Sequence, residues 1–393
     1  METTLFQFNP WWEKTYQFQA FERRVIQNRL IEHIDSKHVI FLTGLRRVGK
    51  TTIMKLLIKH LIEVSGINPN TIFYVSLDNY LLSKNNILEI VNEFRKIQNL
   101  KHDDFVYLFF DEVTYKEDFE IQLKNLYDTE HVKIFASSSS ASLLKSKKNF
   151  LTGRNLIFEV LPLDFFEYLD FKQIKTAKAD IHLLENHFEN FLLKGGIPEY
   201  IITDNNSYLS ELVDDIIYKD IAALHNIRNI AILKDFFLLL MERAGKTLSI
   251  NKISNILKIS PDTAKRYLEL FSDSFLIFPV ERYSKTNEKL LSAKKIYAAD
   301  LGIRNLFTGF RDKGSLFENY IYLKIKHLSQ QYIYENTIEL DFITEKKHLI
   351  ESKFHNEPLS VKQQKLFDTI DATTKTIIRN EVDLTNFLIN TNH

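Results

Sequence analysis

The stretch Gly44-Leu45-Arg46-Arg47-Val48-Gly49-Lys50-Thr51 matches the pattern G-x-x-x-x-G-K-[ST], and Thr52 follows it directly. It lies between a β-rich run at residues 38–43 and a stretch of helical periodicity at residues 51–64. Glycines allow the backbone to curl round a polyphosphate and to aim its N–H groups inward. The start of the following helix adds unpaired N–H groups and a positive dipole end. The pattern therefore predicts a phosphate-binding loop of the P-loop NTPase type.

Two side chains of the loop are expected to contact the ligand directly. Lys50 can reach the β- and γ-phosphates, and the hydroxyl of Thr51 can ligate Mg²⁺. ATP and Mg²⁺ are therefore the expected cofactors. The alternative is a chance match in a glycine turn. A chance match would not need a strand before the loop and a helix after it, yet the sequence indicates both.

A second acidic motif lies about sixty residues after the loop. The apolar run Phe105 to Phe110 ends in Asp111 and Glu112. After a P-loop, Asp111 is expected to hold Mg²⁺, directly or through water, and Glu112 to polarise the attacking water. The alternative is that two acids merely end a strand and meet solvent.

Two further positions are candidate nucleotide sensors. The run Ser137 to Ser140 follows a predicted strand at residues 132–136 and could place a hydroxyl between the acids and the γ-phosphate; equally, it could cap a helix from Ala141. Arg154 is a candidate γ-phosphate sensor or an arginine finger acting on a neighbouring subunit. A surface salt bridge is the alternative for this arginine.

The periodicity predicts four strands, at residues 38–43, 72–77, 105–110 and 132–136, alternating with helices. Such alternation is typical of an α/β domain with a doubly wound parallel sheet, here expected over residues 1–170. The chain has no cysteine, which excludes disulfides and thiolate zinc sites. The 51 basic and 51 acidic residues argue against a generally basic nucleic-acid coat. With no signal peptide or membrane-length apolar run, we expect a cytoplasmic protein without membrane contact.

Several blocks resemble one family, the prokaryotic AAA-type ATPases (AAA+ superfamily) with a C-terminal domain of unknown function that is similar to the PD-(D/E)xK nucleases. The blocks are Gly44–Thr52, Phe110–Glu112, Leu151–Arg154, Leu161–Leu169, Gly195–Glu199, Tyr218–Ile221, Lys295–Arg304 and Phe317–Tyr320. The blocks occur in the same order as in the family, and the resemblance extends over about residues 20–355. Where the family usually has Thr-Gly-Ser-Ser after the fourth strand, this chain has four serines, and Ser139 best matches the polar sensor.

Periodicity and resemblance together imply four domains. They are an ATPase core at residues 1–170, a helical lid at 171–233, a winged-helix-like module at 234–290 and an α/β nuclease-like domain at 291–393. The third contains a helix-turn-helix pattern over residues 248–268. Its second helix would present Lys265 and Arg266 to phosphates, which makes DNA a candidate partner. The alternative is that the module packs between its neighbours or binds protein.

The C-terminal acids follow the pattern D-x₉-E-x-K, with Asp341, Glu351 and Lys353 on consecutive predicted strands. The nuclease resemblance implies that the two carboxylates hold a divalent metal and that the lysine orients or deprotonates water. Glu318, on the preceding predicted helix, is a further candidate ligand. The alternative is an inherited fold whose acids meet solvent and cleave nothing.

Three hypotheses of function follow. The first is an ATPase whose nucleotide state repositions the C-terminal half, with DNA as a candidate target. The second is a nucleotide-gated regulatory or binding module with negligible turnover and no cleavage. The third adds metal-dependent nuclease activity at Asp341, Glu351 and Lys353. A protein partner or a second copy of the chain is compatible with each.

Overall fold

The strand that precedes the glycine loop, β1 (Val39–Thr43), is buried along its whole length in the computed structural model. The structure describes residues 1–13, 16–18, 24–141, 153–175, 183–285, 287–288 and 292–391. Leu151 and Thr152, which belong to one of the resembling blocks, lie outside these ranges. The chain forms two compact units, Met1–Leu161 and Pro162–His393.

The first unit is built round a five-stranded sheet. Its strands are β1, β2 (Ile72–Ser76), β3 (Val106–Asp111), β4 (Val132–Ser138) and β5 (Asn155–Glu159). Their order is β2-β3-β4-β1-β5, and all neighbours are parallel. Strands β1 to β4 confirm the sequence prediction, because near-continuous apolar runs suit strands covered on both faces. The edge strand β5 was not predicted, since only its middle residues are apolar.

Helices cover this sheet. They are α1 (Glu2–Phe8), α2 (Arg24–Ile31), α3 (Lys50–Glu63), α4 (Ile87–Ile97) and α5 (Phe119–Thr129). Helix α4 starts with a reciprocal capping box between Asn86 and Glu89. The α/β class with a parallel sheet is therefore confirmed.

The second unit begins with helices. They are α6 (Phe165–Phe171), α7 (Leu183–Lys194), α8 (Pro198–Thr203), α9 (Asn206–Asp215), a π-helical segment at Ile216–Ala223 and α10 (Ile230–Glu242). The sequence analysis placed α6 in the first domain. It packs within the second unit, where Phe165 contacts Phe188 at 5.1 Å between ring centroids and the nearby Leu163 N donates to Gly196 O at 2.8 Å.

A small antiparallel sheet follows. Its strands are β6 (Lys246–Leu248), β7 (Ile277–Val280) and β8 (Lys294–Ala298), in the order β6-β8-β7. Between β6 and β7 lie α11 (Ile250–Leu257) and α12 (Pro261–Asp273). Ser260 caps α12, accepting from Thr263 N at 3.1 Å, and Pro261 occupies its first turn. The two helices thus lie where the sequence predicted a helix-turn-helix, with one strand before them in the chain and two after them.

The C-terminal part carries a mixed sheet. Its strands are β9 (Gln331–Glu335), β10 (Ile338–Ile343), β11 (His348–Ser352) and β12 (Thr374–Ile378), in the order β12-β11-β10-β9. Strands β11 and β12 are parallel and the other pairs antiparallel. The surrounding helices are α13 (Leu301–Thr308), α14 (Lys313–Ile325), α15 (Val361–Thr369) and α16 (Glu381–Thr391). Among the described residues, none of the helices combines the length and apolar character needed to cross a membrane.

Candidate nucleotide site and the C-terminal acid cluster

The glycine loop lies between β1 and α3, at the carboxyl end of the parallel sheet. Gly44 has a φ of 136°, and a Cβ there would stand 2.2 Å from Val160 O. Gly49 has a φ of 99° and precedes the first residue of α3. Neither conformation suits a residue with a side chain. The two glycines therefore fix the curl of the backbone that the phosphate-binding pattern requires.

The other loop residues support this curl. Leu45 and Val48 are buried and anchor the loop in the unit. Arg46 Nη2 donates to Tyr115 Oη at 3.1 Å, and Arg47 has a positive φ of 65°. Thr52, in the first turn of α3, is half-buried.

The ammonium of Lys50 points into the loop itself. It donates to Gly44 O at 2.9 Å, to Leu45 O at 3.0 Å and to Ser139 Oγ at 3.0 Å. The side chain is almost fully buried. A cation is thus held against the concave side of a loop whose helix N-terminus also favours anions.

Asp111 ends β3 next to the loop and accepts hydrogen bonds from three hydroxyl groups. Thr51 Oγ1 donates to its Oδ2 at 2.5 Å, Tyr74 Oη donates to the same oxygen at 2.9 Å, and Ser137 donates to Oδ1. Burial and the nearby Asp111 raise the pKa of Tyr74 above its usual range, so the phenol stays a donor. A carboxylate and a threonine hydroxyl side by side are hard oxygen donors, which fit Mg²⁺.

Glu112 adopts a left-handed backbone conformation, with a φ of 53°. Its carboxylate accepts from Ser139 Oγ at 2.5 Å and from Ser139 N at 3.1 Å. Because the single proton of the Ser139 hydroxyl goes to Glu112, its oxygen is free to accept from Lys50. Ser139 therefore links the predicted base to the predicted phosphate-binding lysine, at the position where the sequence analysis expected a polar sensor.

Sequence reasoning missed Tyr74 as a contact of Asp111. It named the run Ser137 to Ser140 as polar residues near the acids but singled out Ser139 rather than Ser137. A signal existed for both contacts, because Tyr74 and Ser137 lie on β2 and β4, the strands that flank β3. Polar side chains near the carboxyl ends of adjacent parallel strands meet at one edge of the sheet.

Arg154 does not reach this site within its own chain. It immediately precedes β5, and Val39 N, at the start of β1, donates to its carbonyl oxygen at 2.8 Å. The loop follows the other end of β1, roughly 15 Å away at the usual rise per residue. The guanidinium instead pairs with Asp128 and lies over the ring of Tyr127 at 5.4 Å. A sensor role in its own subunit is therefore not supported, whereas a role in a neighbouring subunit stays a prediction.

The C-terminal acids do come together. Asp341 on β10 and Glu351 on β11 are buried, and Glu351 Oε2 accepts from Asp341 N at 3.0 Å. Asp341 Oδ2 accepts from the backbone N and the hydroxyl of Ser352, at 2.8 and 2.5 Å. Lys353 Nζ lies 3.1 Å from Glu351 Oε1. The predicted pattern thus forms one cluster on two neighbouring strands.

Lys295 on β8, which the sequence analysis did not single out, supplies a cation to this cluster. Its side chain is 0% exposed. Its Nζ lies 2.6 Å from Glu318 Oε1, 2.5 Å from Glu339 Oε1 and 3.4 Å from Asp341 Oδ1. The same carboxylates raise the pKa of Lys295 against the opposing effect of its burial. The position between these acids is therefore held by a fixed positive charge.

This arrangement does not fit a divalent metal at Glu318, Asp341 and Glu351. One oxygen of Asp341 faces Lys295 and the other is occupied by Ser352. Within the described ranges, no three acidic or histidine side chains form a metal-binding group. A metal ion would have to displace an ammonium from buried partners.

The candidate DNA-contacting residues lie on α12. Lys265 stands 3.9 Å from Asp262, and Arg266 Nη2 donates to His225 O at 3.1 Å. Lys265 is well exposed, so its positive charge is accessible to a partner.

Comparison with known families assigns two parts of the chain. Residues 36–169 match an AAA domain, the AAA_14 family, and residues 185–314 match a domain of unknown function, DUF8612. The first match contains the whole nucleotide site described above. The second contains Lys295 but ends before Glu318, Asp341 and Glu351. Similarity of the C-terminal domain to nucleases is not shown by either match.

Three relatives match most of the chain. The uncharacterized protein MJ1544 of Methanocaldococcus jannaschii is 32% identical over 78% of this chain and 73% of its own length. MJ1637 of the same organism is 26% identical over 72% of this chain and 64% of its own. A protein of Haemophilus influenzae is 24% identical over 81% and 82%.

Solved structures with related folds match less closely. The Aeropyrum pernix Orc1 protein in complex with DNA has a TM-score of 0.34 at 12% identity, covering 75% of this chain and 94% of its own. AMPPCP-bound DnaA from Aquifex aeolicus has a TM-score of 0.29 at 14% identity, covering 63% and 86%. TM-scores this low carry no argument about function. The family is shown by sequence instead: the chain belongs to the family of MJ1544 and contains an AAA-type ATPase domain.

Proposed function

We propose that this protein binds Mg·ATP at Gly44–Thr51 and hydrolyses it. The observation that carries the proposal is the convergence of Lys50, Thr51, Asp111 and Glu112. Thr51 donates to Asp111, Ser137 links Asp111 to the backbone of Glu112, and Ser139 links the Glu112 carboxylate to Lys50. An ammonium, a hydroxyl and two carboxylates at a glycine loop are the groups that phosphoryl transfer to water needs.

Each residue has a distinct task in this mechanism. Lys50 and the loop N–H groups bind the β- and γ-phosphates, while Thr51 and Asp111 hold Mg²⁺, which neutralises phosphate charge when bound. Glu112 accepts a proton from the attacking water while the oxygen of that water forms a bond to the γ-phosphorus. The bond between that phosphorus and the bridging oxygen breaks, and ADP leaves.

The Lys50→Ala variant tests the site. Loss of the ammonium should abolish ATP binding or turnover, measured by nucleotide titration and phosphate release. Lys59, also on α3 but nine residues beyond Lys50, offers a control: Lys59→Ala should leave both unchanged. Normal turnover in Lys50→Ala would refute the assignment.

A second candidate function is a nucleotide-gated module with negligible turnover. Ser139 favours it, because its hydroxyl and its backbone N–H each occupy one oxygen of the Glu112 carboxylate, which leaves fewer lone pairs to accept a proton from water. Measuring turnover with and without DNA separates the two functions. A rate at background under both conditions would support the gated module.

DNA remains a candidate partner on the strength of residues 246–298. The strand order β6-β8-β7 with α11 and α12 between β6 and β7 supports the winged-helix interpretation. If α12 contacts phosphates, Lys265→Gln should weaken the binding of duplex DNA. The slope of the logarithm of the binding constant against the logarithm of the salt concentration should become shallower by about one. An unchanged salt slope would leave the module as a packing or protein-binding element.

Nuclease activity at Asp341, Glu351 and Lys353 remains a sequence-based proposal. The buried Lys295 charge argues against it, because it neutralises the carboxylates that would bind metal. Cleavage of single- and double-stranded DNA with Mg²⁺ or Mn²⁺ decides the matter. Activity that disappears in Asp341→Ala while ATP binding persists would establish the nuclease.

Arg154 offers a test of action between subunits. An arginine finger acts on a nucleotide bound by a neighbour. Mixing Lys50→Ala and Arg154→Ala chains would then restore part of the turnover that each lacks alone, because some interfaces would combine an intact loop with an intact arginine. No recovery on mixing would remove the trans role.

A further inference from the structure

A cavity of about 270 Å³ in the second unit lies outside every site described above. It forms where the end of α10, the start of β6 and the end of α13 meet the loop before α14. It is lined by Glu242, Lys246, Arg304, Thr308, Arg311 and Asp312. Three of these six side chains are basic and two are acidic, so the lining has a net charge of +1.

Arg304 is the exceptional member of this set. Only 3% of the residue is exposed, yet its Nε and Nη1 have no hydrogen-bond partner in the part of the chain that the structure describes. A buried guanidinium without acceptors is costly, because its donors lose water and gain nothing in return. Arg304 is also one of the six residues that line the cavity.

The remaining charges of the lining are already matched. Arg311 pairs with Glu242, and Lys246 pairs with Asp312 at 2.7 Å. All four of these side chains are substantially exposed at the rim. The uncompensated charge therefore belongs to Arg304, at the buried end of the cavity.

The backbone that carries Arg304 is firmly held. Asp300 caps α13, accepting from Ile303 N at 2.9 Å and from Gly196 N at 2.6 Å. Asn305 Nδ2 donates to the carbonyls of Leu192 and Leu193 at 2.8 and 2.9 Å. A guanidinium fixed in this way is preorganised for a ligand.

We propose that this cavity binds a small tetrahedral oxyanion, inorganic phosphate or a phosphomonoester, with Arg304 as its principal contact. The planar guanidinium presents parallel N–H donors that match two oxygens of such an anion. Lys246 and Arg311 lie at the rim, where each could turn from its acidic partner towards a bound anion. The rim acids Glu242 and Asp312 would repel the neighbouring phosphates of a polynucleotide, which favours a small anion. This site is separate from the proposed ATP site and does not depend on it.

Calorimetric titration of inorganic phosphate into Lys50→Ala tests the proposal, because this background removes the main phosphate contact of the glycine loop. We expect saturable binding in Lys50→Ala. Adding Arg304→Met should weaken that binding about tenfold or more. Adding Glu242→Gln should strengthen it, since Arg311 loses its neutralising partner. Absence of saturable binding, or binding that Arg304→Met leaves unchanged, would overturn the proposal.

Two further arms keep the test decisive. If Arg304→Met fails to fold, the exposed Lys246→Gln and Arg311→Gln take its place, and each should weaken phosphate binding about fivefold. Unchanged affinity in both would overturn the site. A short DNA duplex distinguishes the source of the phosphate: competition that depends on Arg304 would overturn the assignment to a small anion in favour of a polynucleotide.

Discussion

Single buried charges account for much of the chemistry in this molecule. Lys50, Lys295 and Arg304 are all nearly or fully buried, but their surroundings differ. Lys50 contacts two carbonyls and a serine hydroxyl, and Lys295 contacts three carboxylates. Arg304 lines a cavity, and two of its nitrogens have no hydrogen-bond partner among the described residues. These surroundings distinguish a ligand-binding cation from a structural one, because a structural cation has its countercharge within the protein.

The Lys295→Met variant tests the structural role at the residue scale. Removing the ammonium leaves buried carboxylates at Glu318 and Asp341 without compensation, which should cost about 3–5 kcal/mol of unfolding free energy. Urea unfolding measures the loss. Lys294→Met, at the exposed neighbouring position on the same strand, is the control and should change little. Equal losses in both variants would contradict the structural role of Lys295.

Close backbone approaches hold one element, α13, in place. A Cβ at Gly302 would stand 2.0 Å from Lys194 O, and one at Gly195 would stand 2.4 Å from Gly302 N. These glycines belong to two of the blocks that resemble the AAA-type family. Their contact explains why both blocks need small residues, and it also positions Arg304 two residues further along.

Gly302→Ala should therefore destabilise the protein, by about 1–3 kcal/mol or more, because the added methyl group overlaps a backbone carbonyl. Gly314→Ala is a matched control, since Gly314 is also helical and a Cβ there meets nothing within 4 Å. That control should be neutral or stabilising by up to about 1 kcal/mol. Thermal unfolding of the two variants would refute the packing argument if they behaved alike.

Asp300, the cap of α13, predicts a pH dependence. Burial raises the pKa of Asp300 to about 6, against the opposing hydrogen bonds from Gly196 and Ile303. In the unfolded chain its pKa is about 3.9. Between these values the folded state binds the proton more tightly. The resulting stabilisation is full below pH ~3.9 and is lost as the pH rises through about 6.

The Asp300→Asn variant isolates this effect. The unfolding free energy of the wild type, minus that of the variant, should fall by on the order of 3 kcal/mol between pH 4 and pH 7. Urea unfolding at a series of pH values measures the difference. A difference that does not change with pH would show that Asp300 titrates normally in the folded protein.

At the scale of the whole molecule, the parts of the fold that local pattern determines were predicted. The glycine loop and strands β1 to β4 follow from short-range signals, an eight-residue motif and continuous apolar runs. Strand β8 was missed because it starts with Lys294 and Lys295, which reads as a surface segment. The three acids that pair with Lys295 lie 23–46 residues further along the chain, and no local sequence pattern predicts these ion pairs.

The candidate site shows the same division. Lys50, Thr51, Asp111 and Glu112 were identified from spacing, whereas Tyr74 and Ser137 required knowledge of strand order. Arg154 was predicted to be a γ-phosphate sensor or an arginine finger acting on a neighbouring subunit. In the fold it precedes β5 and therefore lies at the other end of the sheet. Strand direction, which local sequence does not give, decides which residues share the site.

The central claim is that Glu112 is the base of an ATPase, and the rate of phosphate release from saturating Mg·ATP tests it most directly. Replacing Glu112 with glutamine preserves its shape but removes the proton acceptor. Glu112→Gln should therefore bind ATP as the wild type does. Its rate of phosphate release should be lower by a factor of about a hundred or more. Equal rates in wild type and Glu112→Gln would contradict the account.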